Sequence, residues 1–561
     1  MASRQRSAAQ PVDRLGAWEE KTMTATDRRL PLWLATGLAT FAAPAIAQDL
    51  GEPVPELKIA YYAADMGPMY EQSARVLSEE WAKLGISFQM QPVQFSTFIS
   101  NIMVGGGLED MAVFTVGADP DRVDPTYWLH DLGACGARRN GAKWCDEAYT
   151  KMVQDQREII DQKDRIAAVH AAQQHFYDVM PWWPATNTVY GILWNNEKWE
   201  NVTSPAPVAA HEGLIDPWLS AKPLTDDRWL DWAHYEDVTT YNPLAEEGAV
   251  GWLRFVYDTF AKNNSEGETI PWAAAAWEFT DPTTVKITLR DGMKFHDGEA
   301  VTADDAVFTL NKVVELQPPA MSSRIANIAS AEKIDDLTFN VKLKTPDASF
   351  VTTVLPYAFI LPEHLWADYT GDMVARDVVA DGVAIGSGPF KFKTWRVNEV
   401  HELDANPDHF HAPGYDGVRR LALGQADAIR SAMLSGTGDI ATMVLPVAAM
   451  SDLADQEDFL DFLEIPSHGT MLIWLNNEKA PFTDPAFRKA LRQATAKDRA
   501  AIEGWLGFAV PAGEGPVPKQ LGMWYNPDLP EIAFDVEAAR ATLAEAGFGW
   551  DDQGRLHYPK N

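Results

Sequence analysis

The sequence predicts a mixed α/β protein of at least two lobes. Leu57 to Tyr62 is typical of a strand, residues 70–84 of an amphipathic helix, and residues 86–93 of a second strand. This order forms a βαβ unit, for which a right-handed parallel crossover is the default. Alternation of polar and apolar residues over Thr284–Leu289 and Leu337–Leu343 indicates half-buried strands in a β-rich middle. The C-terminal part is helical again, so two α/β regions flank that middle.

The predicted helices carry their own boundary signals. The apolar face of the first helix recurs at spacings of four and three residues, and Gly85 ends it. A long helix is predicted over 146–177, before Pro181-Trp-Trp-Pro184 breaks it. Thr302 and the acids after it open another helix, since an N-cap threonine and first-turn carboxylates suit a helix start. Two further helices are predicted over 484–497 and 535–546.

Composition excludes several classes of protein. The chain has 561 residues, with 47 Lys and Arg against 80 Asp and Glu, and a formal charge of −33. Such a charge repels phosphate backbones and anionic membrane surfaces, so neither nucleic acid nor a lipid surface is expected as a partner. With 46% hydrophobic residues the chain has ample material for a large core. The count of 21 Trp is high and has no explanation from composition.

The first 47 residues predict export. Arg28 and Arg29 precede an apolar stretch that ends in Ala45-Ile46-Ala47, the pattern of a secretory signal peptide cleaved after Ala47. Met23 lies just upstream, so residues 1–22 are open to interpretation as a misassigned start. A twin-arginine export route and an uncleaved anchor are the alternatives. The mature protein is expected in the periplasm.

The two cysteines are too few for a disulfide scaffold or a four-cysteine zinc site. In an oxidising compartment Cys135 and Cys145, which nine residues separate, are expected to form a small-loop disulfide. Two unpaired buried thiols are the alternative.

Signatures of catalysis, cofactors and metals are missing or incomplete. Gly386-Ser-Gly388 is not a nucleophile elbow, and Gly436-Thr-Gly438 does not complete a dinucleotide fingerprint. His409 and His411 lack a spaced third ligand. The acids at 119, 121 and 124 lack the central glycine and final glutamate of a calcium loop. We therefore predict no enzyme, no cofactor and no metal site.

Several segments together resemble the extracytoplasmic solute-binding proteins of family 5, which serve ABC importers of peptides, nickel and some oligosaccharides. The strongest is Trp277–Gly298 followed by Val301–Phe308, which is similar to the family signature. The other matching segments are Val256–Asp258, Ile360–His364, Gly386–Phe390, Ala405–Pro407, Leu475–Asn477, Phe487–Leu491 and Ala544–Phe548. The resemblance spans essentially the whole mature chain. It implies the two-lobed periplasmic-binding-protein fold of class II type, in its large form with an extra domain.

The order of these segments differs from that of the family. Moving residues 51 to about 225 behind the C-terminal segment restores the family order, so that Asp552–Leu556 runs into Glu56–Ile59. We interpret this as a circular permutation, with the old termini fused near Ser220–Asp227; a gene-model splice or a frameshifted pair of genes is the rival explanation.

This interpretation divides the chain into a signal peptide (1–47), a first segment of one lobe with the ligand loop (48–205), a continuous second lobe (206–474) and the rest of the first lobe (475–561). Crossings near 185–205 and 468–475 would form the hinge.

The resemblance also implies ligand-binding residues. Peptide-binding members hold the ligand ammonium with an aspartate in the loop that matches Gly117–Pro125 here, which places Asp121 in that role and Gly117 on the strand that meets the ligand. A carboxylate suits an ammonium because charge-assisted hydrogen bonds are the stronger ones. Asp119 is the alternative anchor, and both acids are also open to a plain turn-capping role.

Glu246 and Glu247 resemble the ligand-facing loop of the other lobe. Trp474 lies beside the presumed hinge, where packing is the commoner role and stacking on a ligand the alternative. The expected function is a monomeric periplasmic receptor that closes on a peptide-like or cationic solute and delivers it to an ABC permease. An oligosaccharide receptor of the same family and, more remotely, an exported hydrolase are the alternatives.

Overall fold

The computed structural model describes residues 50–118, 122–202, 215–234, 237–245, 250–264, 268–318, 321–442 and 444–560. The predicted signal peptide, residues 1–47, lies outside them. None of the helices in these ranges combines the length and apolar character that a membrane span requires.

Strands and helices alternate along most of the chain. The strands are β1 (Leu57–Tyr62), β2 (Phe88–Val93), β3 (Met111–Val116), β4 (Trp182–Asn195), β5 (Trp199–Glu200), β6 (Lys222–Pro223), β7 (Trp229–His234), β8 (Ala261–Asn263), β9 (Thr269–Pro271), β10 (Ala274–Asp281), β11 (Thr284–Leu289), β12 (Ile328–Lys333), β13 (Thr338–Leu343), β14 (Phe390–Arg396), β15 (Val400–Ala405), β16 (Gly417–Ala422), β17 (Ile440–Thr442), β18 (Leu460–Leu475), β19 (Ala509–Pro511), β20 (Gly549–Trp550) and β21 (Leu556–His557). The helices are α1 (Met69–Ala82), α2 (Phe95–Thr97), α3 (Glu147–Glu158), α4 (Gln162–Val179), α5 (Asp216–Ser220), α6 (Val250–Val256), α7 (Ala303–Leu316), α8 (Ser322–Ile325), α9 (Phe350–Thr353), α10 (Glu363–Trp366), α11 (Ala426–Ser435), α12 (Val447–Gln456), α13 (Pro485–Gln493), α14 (Lys497–Arg499) and α15 (Val536–Glu545).

One large mixed sheet runs through the described part of the molecule. Its strand order is β14-β15-β16-β7-β17-β4-β18-β3-β1-β2, and β19 adds to β4. A separate antiparallel sheet, β10-β11-β13-β12, holds the β-rich middle. Because β4 and β18 lie at the centre of the large sheet, they connect its two halves.

Two large hydrophobic cores lie towards opposite ends of these central strands. The first core draws its buried residues from between Ile192 and Ile465. The second core takes residues from Leu57 to Ala185 and again from Met471 to Leu556. A smaller third cluster packs α11 and α12 on the sheet. The chain passes between the two large cores within residues 185–192 and 465–471.

The predicted βαβ unit is confirmed. β1 and β2 pair in parallel, with Leu57 opposite Phe88, and α1 connects them. Ala74, Leu77 and Trp81 on the apolar face of α1 are fully buried. Gly85 has φ 86°, a left-handed conformation that suits glycine and ends the helical segment.

The long helix predicted over 146–177 is two helices. α3 ends at Glu158 because Ile159 adopts an extended backbone, and α4 begins at Gln162. Asp146 and Asp161 cap the two helices, each accepting a hydrogen bond from the backbone N–H three residues on. The cap at Asp161 therefore lies inside the segment that was predicted to be one helix.

The predicted strands and helix of the middle are confirmed. β11 and β13 pair antiparallel, with Ile287 opposite Phe339. Helix α7 follows Thr302, whose backbone N–H donates to Asp305 Oδ2 at 2.9 Å. The C-terminal helices α13 and α15 begin directly after the N-cap residues Asp484 and Asp535.

Two of the segments that resemble the family, Val256–Asp258 and Gly386–Phe390, meet at one buried carboxylate, Asp258. Its oxygens accept hydrogen bonds from Ser387 Oγ at 2.9 Å and Trp272 Nε1 at 2.7 Å, and lie 3.2 Å from His409 Nε2. The neighbouring Gly386 passes so close to the chain that a Cβ there would lie 2.1 Å from the Val256 carbonyl oxygen. These segments therefore form a structural junction within the first core.

Candidate functional site

The two central strands become polar where they pass between the cores. Asn187 Nδ2 donates to Thr470 Oγ1 at 2.8 Å, and the hydroxyls of Thr188 and Ser467 lie 2.7 Å apart. All four side chains are buried. The register of β18 against β4 shifts between Pro466 and Thr470. A bulge of this kind interrupts the ladder and bends a strand, and it lies where the chain passes between the two cores.

The predicted ligand loop, residues 117–125, starts directly after β3. Arg122 Nη1 donates to the Gly117 carbonyl oxygen at 2.7 Å, and the Arg122 carbonyl accepts from Trp128 Nε1 at 2.7 Å. Arg122 therefore links the start of the loop to the helical turn that follows it. The predicted anchors Asp119 and Asp121 lie outside the described residues, as do Glu246 and Glu247 of the opposite loop.

Asp124, at the end of this loop, is a buried ion-pair partner. Its carboxylate lies 3.0 Å from Arg165 Nη2, with side-chain exposures of 1% and 3%. It also accepts from the backbone N–H of Thr126 and from the hydroxyl of Thr352, a residue of α9 beyond the boundary between the cores. Burial would raise the pKa of Asp124, but Arg165 and these hydrogen bonds outweigh it and hold that pKa below its ordinary value.

Trp474 lies inside the second core. Its side chain is fully buried, and its ring meets Phe114 edge-on with 4.6 Å between the centroids. It stands opposite Trp182 in the register of β18 and β4. The packing role is therefore the one that the structure gives Trp474, and its ring offers no open face to a ligand.

The expected disulfide between Cys135 and Cys145 is present, with the two Cα atoms 4.5 Å apart. Asn140 braces the loop between them, because its Nδ2 donates to the carbonyls of Ala134 and Trp144 at 3.0 and 2.6 Å. The disulfide and this bridge fix a short loop that carries Arg138 and Arg139.

A cavity of about 630 Å³ lies at the boundary between the cores. Residues 124–157 form one wall and residues 324–353 the other. Arg157 Nη2 donates to Asp347 Oδ2 at 2.7 Å across it, and the Ala348 N–H donates to the Arg157 carbonyl at 2.7 Å. We call this space the boundary cavity.

Sequence reasoning missed the boundary cavity. Four of its lining side chains are arginines: Arg138, Arg139, Arg157 and Arg324. The available signal was the adjacent pair Arg138-Arg139 between two cysteines of an otherwise acidic chain. Arg157 and Asp347 are 190 residues apart in sequence, so no local pattern joins them.

Metal ligation has no support in the described residues, where no group of three or more His, Cys, Asp or Glu is arranged to hold an ion. His409 lies beside Asp258 in the structural junction, and the ring of His411 stacks on Trp272 with 5.2 Å between centroids.

Comparison with known proteins identifies the family. The family model for bacterial extracellular solute-binding proteins, family 5 middle region, matches residues 268–561, which is more than half of the chain. The chain belongs to this family. The match includes the segment Trp277–Gly298 on which the sequence resemblance most depends.

Individual relatives match over part of their length. The oligopeptide-binding protein AppA of Bacillus subtilis is 31% identical over 278 residues, covering 47% of this chain and 48% of that protein. A putative ABC transporter peptide-binding protein of Brucella ovis is 28% identical over 319 residues, which cover 55% of this chain and 58% of that protein. The chain thus spans about half the length of the curated relatives it matches. The solved structure of a periplasmic oligopeptide-binding protein of an ABC transporter from Thermotoga maritima is 20% identical, with a TM-score of 0.46. The match covers 58% of this chain and 64% of that protein.

Proposed function

We propose that this protein is a periplasmic solute receptor of an ABC importer that closes on its ligand and delivers it intact to the permease. The observation that carries this proposal is the arrangement of two separate cores joined by one polar, bulged pair of strands, with a cavity at their boundary. Closure of two bodies over a solute excludes water, which strengthens the polar contacts inside. Membership of a solute-binding family supports the same role.

A peptide-like ligand is the proposed cargo. In this proposal Asp121 binds the ligand ammonium, with Asp119 as the alternative and the strand end at Gly117 beside it; Glu246 and Glu247 face the ligand from the other side. The names of the two relatives, both peptide-binding proteins, support this choice. At least ten of the 21 tryptophans have fully buried side chains and therefore no face for a sugar, so these ten give no support to the oligosaccharide alternative.

The circular permutation remains part of the proposal. Residues 51–54 lie beside residues 556–558: Gly51 N–H donates to the Tyr558 carbonyl at 3.1 Å and Val54 N–H to the Leu556 carbonyl at 2.8 Å. This proximity supports a chain order in which the segment ending near 556 runs directly into the strand at 57. The second core, built from residues on both sides of the continuous first core, supports the division at 48–205, 206–474 and 475–561.

Mass measurement distinguishes the permutation from a gene-model splice or two frameshifted genes. The exported protein should appear as one species that begins after Ala47 and carries both Gly51 and Tyr558. Two shorter chains in its place would refute the permutation.

The receptor function is tested by thermal unfolding of the exported protein with peptides and with oligosaccharides, with product analysis of each mixture. We expect peptides to raise the midpoint without being consumed, since a ligand that binds only the folded state stabilises it. Asp121→Ala should lose this shift, while Asp452→Ala, on the exposed face of α12, should keep it. Turnover of any probe would contradict the receptor role, and an unchanged shift in Asp121→Ala would contradict the anchor.

A further inference from the structure

The boundary cavity is unusually basic for this protein. The chain carries a formal charge of −33, yet four arginines line one cavity, together with Asp124, Asp131 and Asp347. Two of these aspartates are already paired, Asp124 with Arg165 and Asp347 with Arg157. Asp131 lies 3.0 Å from His130 Nδ1. The acids of the cavity are therefore committed to neighbours other than Arg138 and Arg139.

Arg138 and Arg139 have no carboxylate partner in the part of the chain that the structure describes. Arg138 is exposed and makes no hydrogen bond or ion pair there. Arg139 is partly buried, with its guanidinium 5.4 Å from the centre of the Tyr127 ring. A guanidinium held over an aromatic ring keeps its in-plane N–H donors free for an anion.

The protein holds the backbone of these two arginines in place. Both lie in the loop that the Cys135–Cys145 disulfide closes and that Asn140 braces from inside. Pre-organisation lowers the entropy that binding must overcome, so two arginines on a braced loop form a better anion site than the same residues on a free loop. Each guanidinium matches the two oxygens of a carboxylate with a bidentate pair of hydrogen bonds.

We propose that Arg138 and Arg139 bind a carboxylate of the transported ligand inside the boundary cavity. A volume of about 630 Å³ is in the range of small-molecule sites. The cavity wall begins at Asp124, at the end of the loop that carries Asp119 and Asp121. A zwitterionic peptide would place its ammonium at that loop and its carboxylate at the two arginines. The inference rests on the proposed receptor function, and it assigns the ligand a negative as well as a positive end.

The test compares free acids with amides. Binding of tri- to pentapeptides, each as the free acid and as the C-terminal amide, is measured by calorimetry on the exported protein, the Arg138→Gln/Arg139→Gln variant and an Arg430→Gln control. Arg430 is an exposed residue of α11 outside the cavity. Succinate, citrate and inorganic phosphate serve as separate probes. Near-ultraviolet circular dichroism checks that each variant is folded.

We expect amidation to weaken binding to the unchanged protein and to Arg430→Gln at least tenfold, and to change binding to the double variant less than twofold. A double variant that still prefers acids would overturn the proposal. If acids and amides bind the unchanged protein equally well, the receptor function survives and the carboxylate site fails. If no peptide binds, the peptide is the wrong ligand, and citrate then tests the carboxylate site separately. Citrate binding that depends on the two arginines would support the site. If neither succinate nor citrate binds, the site is refuted. Phosphate that binds as tightly as citrate and depends on both arginines would make this an inorganic-anion site and overturn the proposal.

Discussion

Arg157 Nη2 and Asp347 Oδ2 lie 2.7 Å apart, and the two residues belong to opposite walls of the boundary cavity. The Ala348 N–H also donates to the Arg157 carbonyl, so backbone and side chain both bridge the boundary. Burial disfavours the charged form of Arg157, but Asp347 outweighs that effect and raises the pKa of the guanidinium. The two cores therefore meet through a defined polar contact near the proposed ligand site.

Asp347→Ala should destabilise the protein by about 1 to 3 kcal/mol, because it removes an ion-pair partner and a buried acceptor for the Ser349 N–H. Asp155→Ala, which breaks the exposed Lys151–Asp155 pair on the same helix as Arg157, should change stability by less than about 0.5 kcal/mol. Urea unfolding measures both. Equal effects of the two substitutions would show that the Arg157–Asp347 contact contributes no more than a surface pair.

Asp124→Asn should reduce the sensitivity of the protein to acid. The pKa of Asp124 is lower in the folded protein than in the unfolded chain, so its contribution is present above about pH 4 and is lost as the pH falls through the folded value. At pH 7 the substitution leaves Arg165 buried without a counter-charge, which should cost about 3 to 5 kcal/mol. Unfolding at pH 7, 4 and 3, with Asp452→Asn as the control, measures both effects. If the variant loses stability with falling pH as steeply as the unchanged protein does, the lowered pKa of Asp124 is contradicted.

Removal of the disulfide by Cys135→Ser and Cys145→Ser should cost about 2 to 3 kcal/mol in the loop-entropy model. Reduction of the unchanged protein should lower its free energy of unfolding by a similar amount and leave that of the double variant unaffected. Because the same loop carries Arg138 and Arg139, both treatments should also weaken binding of carboxylate ligands. Affinity that is indifferent to the disulfide would show that the loop needs no covalent support.

Lys497 should make stability rise between pH 7 and 9. Burial, assisted by the nearby Arg492, lowers the pKa of Lys497 from 10.5 to about 7 although Glu514 lies 3.0 Å away. Above pH 7 the unfolded chain therefore holds a proton that the folded protein lacks, so stability increases with pH by about 2 kcal/mol up to pH 9. Lys497→Gln should abolish this rise and the exposed Lys489→Gln should retain it. If the stability of the unchanged protein does not rise between pH 7 and 9, the lowered pKa of Lys497 is refuted.

Local signals predicted the elements whose formation depends on one segment. The βαβ unit and α7 follow from periodicity and caps that are visible within fifteen residues. The strand β4 was not predicted, because it is buried on both sides and its polar residues, such as Asn187, pair with β18 some 280 residues away. Local signals did not place the break between α3 and α4, because neither proline nor glycine marks it and the N-cap residue Asp161 is one of several aspartates in the segment.

The candidate site was predictable only in part. The loop that begins at Gly117 was expected from a family motif, and the disulfide was expected from the compartment. The boundary cavity was not, because its two walls come from segments about 200 residues apart and meet only after both cores fold. Trp474 lies near the predicted hinge in sequence, and its side chain packs inside the second core, which is the commoner of the two roles expected for it.

Small-angle scattering combined with recovery of the ligand tests the central claim most directly. The exported protein is measured alone and with a saturating peptide that stabilises it, and the peptide is then released by denaturation and weighed by mass spectrometry. We predict a smaller radius of gyration with peptide and recovery of that peptide at its original mass. An unchanged radius at saturation, or a peptide whose mass has changed, would contradict a receptor that closes on its solute and delivers it intact.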